Sequence, residues 1–141
     1  MTVRQVMSRR PITVAPKTSF SQVWELLFGK RVNCLPVTTK NNILLGIIAE
    51  EDLLDRLYPS YEEVISDPLL ASRFEDIEER LTDSAIVRLT AKDIMNRNVY
   101  TATVETPLMK AASNMLLRRV SCLPVVEDTN ERPKLVGIVC K

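Results

Sequence analysis

The chain has 141 residues, of which 45% are hydrophobic and 26% charged, which is typical of a protein that folds around a compact core. Its 19 basic and 18 acidic residues give a net charge of +1, without the basic excess of most nucleic-acid-binding proteins, and the absence of histidine removes the commonest general base and metal ligand. The longest apolar run, Ile43 to Ala49, is far below the roughly 20 residues of a spanning helix. We therefore expect a soluble, cytoplasmic protein that is not an enzyme and binds neither nucleic acid nor membranes.

The first part of the chain predicts six short elements. In order, these are a helix at 3–7, a strand at 12–14, an amphipathic helix after Thr18, strands at 34–38 and 43–48, and a helix from about residue 50. Thr18 is predicted to be the N-cap of the second helix. The apolar positions of that helix recur at helical spacing, which favours a core face over a cofactor or partner stripe: Phe20, Val23, Trp24, Leu27 and Phe28.

Residues 59–89 follow as a helical insertion. Pro59 breaks the preceding helix, and Asp67-Pro68 precedes a new one with an apolar face at Leu70, Phe74, Ile77 and Leu81. That face either packs across its own module or forms a dimer or partner surface, and the sequence leaves the two alternatives open.

The rest of the chain repeats the first part. Residues 31–37 read RVNCLPV and residues 119–125 read RVSCLPV, and the match extends to pairs such as Met7 with Met95. Thr106 is accordingly the second predicted N-cap, with Pro107 at the first helical position. Gly46 and Gly137 interrupt equivalent strands, which indicates that another group approaches closely there. Because one unit is too small to bury both faces of a sheet, we expect the two units to pack together.

Cys34, Cys122 and Cys140 each lie in an apolar, strand-like run, and no two of them form a CxxC pair. A metal site and a disulfide are the functional alternatives. The favoured interpretation is three small buried hydrophobic residues and no metal, in keeping with a reducing cytoplasm.

The series of motifs resembles a tandem pair of cystathionine-β-synthase (CBS) domains, the arrangement called a Bateman module. The resemblance is carried by Val6-Met7, Pro11 to Val14, Cys34 to Val37, Gly46 to Ile48 and Glu51 to Leu54, and by the second copy of the series from Thr90 onward. It implies an α/β fold of two pseudo-symmetric units, each a small three-stranded sheet with helices, packed through their sheets. The first unit would be 1–58, the insertion 59–89 and the second unit 90–141.

The resemblance also implies two sites for an adenosine-containing ligand. Carried onto this chain, the first site comprises Ile12, Thr13, Cys34, Leu35, Pro36 and Asp52, and the second comprises Tyr100, Thr101, Cys122, Leu123 and Pro124. Asp52 would accept hydrogen bonds from the ribose hydroxyls, although a first-turn acid can also simply stabilise its own helix. Three cations are candidate phosphate partners, with plain solvated charge as the alternative: Lys17, Arg31 and Arg119.

The chain departs from the family pattern in two places. Ala49 stands where the family usually has Ser or Thr, which removes one hydroxyl from the first site. The sequence stops at Lys141, before the last helix and the second ribose aspartate, so we expect a fragment of a longer protein.

The predicted function is a regulatory module that senses AMP, ADP, ATP or S-adenosylmethionine between the two units, and no cofactor is required. The alternative is a CBS-fold dimerisation scaffold that has lost its ligand. The resemblance further implies a homodimer and an effector domain or protein.

Overall fold

The computed structural model describes residues 1–57, 84–130 and 132–141, so most of the predicted insertion helix lies outside the described residues. The first unit opens with a 3₁₀ turn at Val3–Gln5. The remaining elements are α1 (Phe20–Trp24, continued as a π-helical turn at Glu25–Gly29), β1 (Cys34–Thr38), β2 (Leu44–Ala49), α2 (Glu50–Leu57), α3 (Ser84–Val87), α4 (Ala91–Ile94), α5 (Leu108–Arg118), β3 (Cys122–Thr129) and β4 (Arg132–Cys140). No helix in these parts of the chain is long and apolar enough to cross a membrane.

The predicted N-caps of α1 and α5 are wrong by one residue. Ser19 caps α1 and Pro107 occupies the N-cap position of α5. The hydroxyls of Thr18 and Thr106 instead accept hydrogen bonds from backbone N–H groups three residues before them, at 3.1 and 3.0 Å. A threonine hydroxyl can satisfy either the turn before it or the helix after it, and here both close the preceding turn.

Each unit is built on an antiparallel pair of strands, β1 with β2 and β3 with β4. The predicted third strand shrinks to a single parallel bridge, Val14 with Val37 and Ala102 with Val125. Val14 donates to the carbonyl of Pro36 and accepts from the N–H of Thr38. The next bond of this ladder would need an N–H on Pro36, which proline lacks, so pairing ends there.

The two units exchange their opening helices, which are the 3₁₀ turn Val3–Gln5 in the first unit and α4 in the second. Val3, from the start of the chain, is fully buried in the core of the second unit, with Ala111 and Met115 of α5. Ala91 and Ile94 of α4 are buried in the core of the first unit. Neither unit therefore completes its own core, which explains physically why the unit occurs twice.

The segments that follow the exchanged helices also cross to the other sheet. Ser8 pairs with Ile138 of β4, and Asn96 pairs with Ile47 of β2, each through two backbone hydrogen bonds of 2.8 to 3.0 Å.

The glycines that the sequence marked lie at these crossings. A Cβ atom on Gly137 would lie 2.7 Å from the carbonyl oxygen of Ser8, and one on Gly46 would lie 2.7 Å from the sulfur of Met95 and 2.9 Å from the carbonyl oxygen of Asn96. The predicted close approach of another group is confirmed at both positions.

The sheets also meet directly through β2 and β4. Leu135 donates a 2.8 Å hydrogen bond to the carbonyl of Asn42, and Leu44, Val126 and Leu135 form a small buried cluster that spans both units. The expected packing of two α/β units through their sheets is confirmed.

Candidate functional site

A cleft of about 110 Å³ opens between the two units. The first unit contributes the start of β1, the end of β2 and the first turn of α2, and the second unit contributes the segment after α4 and the C-terminal end of α5. The lining residues are Asn33, Cys34, Ile47, Ala49, Glu51, Asn96, Asn98, Val99, Tyr100, Arg119, Val120, Ser121 and Cys122.

The wall formed by the second unit carries an aromatic ring and a cation. The guanidinium of Arg118 lies 4.7 Å from the ring centroid of Tyr100, which is within the range of a cation–π interaction. Arg119 is the C-cap of α5 in a left-handed conformation, with φ of 56°. The tight turn after α5 therefore puts one arginine against the ring and the next one on the cleft.

The wall formed by the first unit carries the carboxylate of Glu51, in the acidic first turn of α2. Asp52 is half-buried and does not line the cleft; its Oδ2 accepts a 2.7 Å hydrogen bond from the N–H of Ala49, and Oδ1 has no partner among the described residues. Burial raises the pKa of Asp52 above its usual value, although the hydrogen bond from Ala49 acts in the opposite direction. Asp52 thus caps its own helix in this structure.

Three of the ligand-site residues expected from the sequence line this single cleft: Cys34 from the first predicted site, and Tyr100 and Cys122 from the second. Thr101 lines a separate surface depression. Four of the remaining site residues are buried outside the cleft: Leu35, Pro36, Leu123 and Pro124. The other three also lie outside the cleft: Ile12, Thr13 and Asp52. The structure thus brings parts of both predicted sites together on one interface.

Of the predicted phosphate partners, Arg119 lines the cleft, whereas Lys17 and Arg31 are exposed outside it. Arg31 is the repeat equivalent of Arg119 and shares its left-handed conformation, with φ of 55°. The two arginines therefore differ in surroundings but not in local backbone.

Several polar residues that line the cleft were not predicted from the sequence. Asn96 and Asn98 follow α4, and the N–H of Asn98 donates a 2.9 Å hydrogen bond to the side-chain oxygen of Asn96. Asn33 and Ser121 precede the two equivalent cysteines. A signal for this last pair existed, because it is the only difference between the repeated seven-residue segments.

The interpretation of the cysteines as three unbonded hydrophobic residues is wrong for two of them. Cys122 and Cys140 form a disulfide, whereas Cys34 is a free, buried thiol. The bonded pair lies directly opposite in the β3–β4 ladder, with Cα atoms 4.0 Å apart, so the register of the hairpin brings together residues 18 positions apart. Burial raises the pKa of Cys34 to about 12.

Comparison with known proteins agrees with this architecture. MJ1426 from Methanocaldococcus jannaschii is 28% identical over 152 residues, covering 100% of this chain and 87% of that protein. A homoserine O-acetyltransferase from Methanocorpusculum labreanum is 29% identical over 130 residues, but the match covers 92% of this chain and only 21% of that enzyme.

Solved structures of CBS domain pairs are similar over 99% of this chain. The CBS domain pair of protein MJ0100, in complex with 5′-methylthioadenosine and S-adenosyl-L-methionine, has 25% identity and a TM-score of 0.68 over 89% of its length. CBSX2, in complex with AMP, has 28% identity and a TM-score of 0.72 over 90% of its length. The sequence profile of the CBS domain matches residues 3–59 and 91–141. The chain therefore belongs to the CBS domain family and contains a tandem pair of these domains.

Proposed function

We propose that this protein is a regulatory module that binds an adenosine-containing ligand, AMP, ADP, ATP or S-adenosylmethionine, in the cleft between its two CBS units. The observation that carries the proposal is the joint lining of the cleft, with Glu51 on one wall and Tyr100 and Arg119 on the other. Support comes from the AMP bound to CBSX2 and from the adenosyl ligands bound to the CBS pair of MJ0100.

The lining residues match the chemistry of such a ligand. An aromatic ring such as Tyr100 can stack on a purine, and the guanidinium of Arg119 can pair with a phosphate or carboxylate. A carboxylate can accept both hydrogen bonds of a ribose diol. Two carboxylates are candidates: Asp52 from the family pattern, with Oδ1 available, and Glu51 from its position on the cleft.

A ligand held by both units can act as a switch if its affinity differs between two arrangements of the units. A route for this coupling is the 2.8 Å hydrogen bond from the guanidinium of Arg56, in α2, to the carbonyl of Asp93, in α4. A ligand that moved the first turn of α2 would strain this hydrogen bond between the units. The surface offered to an effector domain or protein would change as a result.

The alternative is a scaffold that keeps the fold without a ligand. The cleft of about 110 Å³ is smaller than the roughly 300 Å³ at which ligand pockets typically begin, so a nucleotide would have to widen it. Ala49, which cannot donate a side-chain hydrogen bond, also favours this alternative.

Thermal unfolding with AMP, ADP, ATP and S-adenosylmethionine separates the two functions. A ligand present at 100 times its dissociation constant should stabilise the fold by about 2.7 kcal/mol, which raises the Tm by several degrees at this chain length. We expect one of the four ligands to do so; no shift with any of them would favour the scaffold.

Three variants of α2 then identify the ribose carboxylate. Glu51→Gln and Asp52→Asn keep the size of each side chain, and the one that removes the ligand-induced shift names the acceptor. Glu50→Gln is the matched control, because Glu50 is exposed in the same turn and does not line the cleft. A shift that survives both Glu51→Gln and Asp52→Asn would rule out a ribose contact from this helix.

The proposal also includes a homodimer. Exposed apolar side chains on α5, Leu116 and Leu117, offer surface for a second copy. Analytical ultracentrifugation with and without ligand measures the assembly directly, and a monomer under both conditions would remove this part of the proposal.

A further inference from the structure

The three cysteine sulfurs lie together at the interface of the two units. The Sγ atoms of Cys34, Cys122 and Cys140 are all within 4.8 Å of one another. Cys34 and Cys122 also line the cleft, which gives the cluster a path to solvent. One sulfur comes from the first unit and two come from the second, so the cluster bridges the units.

The spacing suits a thiophilic metal ion. Zinc binds thiolates at about 2.3 Å, which places two sulfurs on one ion roughly 4 Å apart. The three sulfurs already lie within 4.8 Å of one another, and opening the Cys122–Cys140 bond frees two of them to rotate. A buried thiolate is costly by itself, as the pKa of about 12 for Cys34 reflects, but a bound cation compensates its charge.

The repeat leaves a fourth position open. Ala49 lies opposite Cys34 in the β1–β2 ladder, as Cys140 lies opposite Cys122 in the β3–β4 ladder. Ala49 also lines the cleft. The two strand ends therefore present three sulfurs and one methyl group, which corresponds to a site with three protein ligands and a fourth place for water.

We propose that the reduced protein binds one zinc ion, or a similarly thiophilic ion, through the three thiolates of Cys34, Cys122 and Cys140. A thiol reductant supplies two electrons and two protons and converts the Cys122–Cys140 disulfide into two thiols, itself becoming a disulfide. Zinc then displaces one proton from each of the three thiols. The disulfide and the metal site are mutually exclusive states of the same residues, so the redox poise of the surroundings decides which state forms.

The test is a zinc titration of the full chain without nucleotide, so its outcome does not depend on the proposed ligand. Protein reduced with a phosphine, and freed of it under argon, should bind one zinc ion per chain and release three protons. Zinc should protect all three thiols from iodoacetamide, as counted by mass spectrometry. Oxidised protein should show no such site. Absence of binding to the reduced protein, or protection of fewer than three thiols, would overturn the proposal without any variant.

Two substitutions test the geometry. Ala49→Cys should supply a fourth thiolate, raise the proton release to four and tighten zinc binding by more than about tenfold. Ser113→Cys adds a thiol at an exposed position of α5 outside the cleft and should leave the affinity unchanged. Equal effects of the two substitutions would contradict the site.

Removal of the one thiolate that the first unit contributes completes the test. Cys34→Ser should weaken binding by more than about tenfold and reduce the proton release to two. Circular dichroism of each variant establishes that it is folded. If a folded Cys34→Ser variant binds zinc as tightly as the wild type, the metal does not bridge the units.

Discussion

The equivalent helices α1 and α5 of the two units differ in how they end and on one face. The helix α1 continues as a π-helical turn, whereas α5 is α-helical as far as Arg118. In the first unit this face carries an aromatic row, with ring centroids 6.5 Å apart for Phe20 and Trp24 and 4.2 Å apart for Trp24 and Phe28. In the second unit the repeat places Leu108, Ala112 and Leu116 there, and these residues line a groove of about 430 Å³.

Other features are the same in both units. Each has a glycine where the opening segment of the other unit crosses its sheet, and each has an arginine with positive φ in the turn that follows α1 or α5. The shared glycines lie where the two units cross, whereas the differences between the units lie on one face of α1 and α5. The pairs of equivalent positions therefore provide matched tests, which follow from the largest expected effect to the smallest.

Gly46→Ala and Gly137→Ala should be the most damaging small substitutions. Each added methyl group would meet atoms of the crossing segment at 2.7 Å, and we expect each to cost about 1–3 kcal/mol in the free energy of unfolding. Urea denaturation measures both, with Gly29→Ala as the control, because the atoms nearest to the new methyl group there belong to the flexible side chain of Glu25. If neither substitution lowered the free energy of unfolding more than the control does, the crossing segments would not lie against these glycines.

A second substitution that relieves the steric clash makes this test of the two glycine variants sharper. At Gly46 the nearest atoms belong to the Met95 side chain, whereas at Gly137 the nearest atom is the backbone oxygen of Ser8. Met95→Ala should therefore recover part of the loss in Gly46→Ala, by about 0.5–1 kcal/mol of coupling in a double-mutant cycle. Met7→Ala should recover less in Gly137→Ala.

Val3→Ala tests the exchange of the opening helices and should cost about 1.5–2 kcal/mol, because a fully buried side chain loses two methyl groups. In double-mutant cycles by urea denaturation, Val3→Ala should couple with Met115→Ala of the second unit and add independently to Leu27→Ala of the first. Coupling with Leu27 instead would mean that the opening helix packs in its own unit.

Two carboxylates should give the unfolding free energy opposite pH dependences. Burial raises the pKa of Asp52 above 3.8, so the folded state holds the proton more tightly and stability falls as pH rises from that value through the raised pKa. The hydrogen bonds from Thr90 lower the pKa of Asp93 below 3.8, so its stabilisation is present above 3.8 and is lost as pH falls through the lowered pKa.

Asp52→Asn and Asp93→Asn should each remove one of these slopes. Denaturation midpoints measured in acid, compared with the wild type at each pH, give the two difference curves. Difference curves of the same sign would show that one of the two environments is described wrongly.

Arg31→Gly and Arg119→Gly should give the smallest effects on stability. Both arginines have positive φ, which glycine adopts without steric cost, so each substitution should change stability by less than about 1 kcal/mol and by similar amounts. Thermal unfolding without ligand measures both. A large difference between them would show that the surroundings, not the shared backbone, set the cost.

The sequence predicted the repeat, the strand Cys34–Thr38, the pairing of the units and the close approach at the glycines. These features depend on the local pattern of apolar residues and on glycine, whose presence inside a strand usually marks a close approach. It did not predict which unit each opening helix completes, since Val3 and Ala91 fit either core by hydrophobicity alone. The early end of the third strand follows from Pro36, whose role emerges only once the register is known.

The cleft was predicted only in part for a related reason. Tyr100, Cys34 and Cys122 were named as site residues, but in two separate sites, whereas the crossing of the units puts them on one surface. The disulfide was an alternative that the sequence did not favour, because the register of the β3–β4 hairpin, and not the spacing of the cysteines, places Cys140 opposite Cys122.

The most direct test of the central proposal is isothermal titration of AMP, and then of S-adenosylmethionine, into wild type, Arg119→Gln and Arg31→Gln. The two variants remove the same charge from the same backbone conformation in equivalent places, but only Arg119 lines the cleft. We predict saturable binding of one ligand that Arg119→Gln weakens by about tenfold or more and Arg31→Gln leaves within about twofold, as expected for loss of a charge-assisted hydrogen bond. Absence of binding by both ligands, or an equal loss in the two variants, would contradict a ligand site in this cleft.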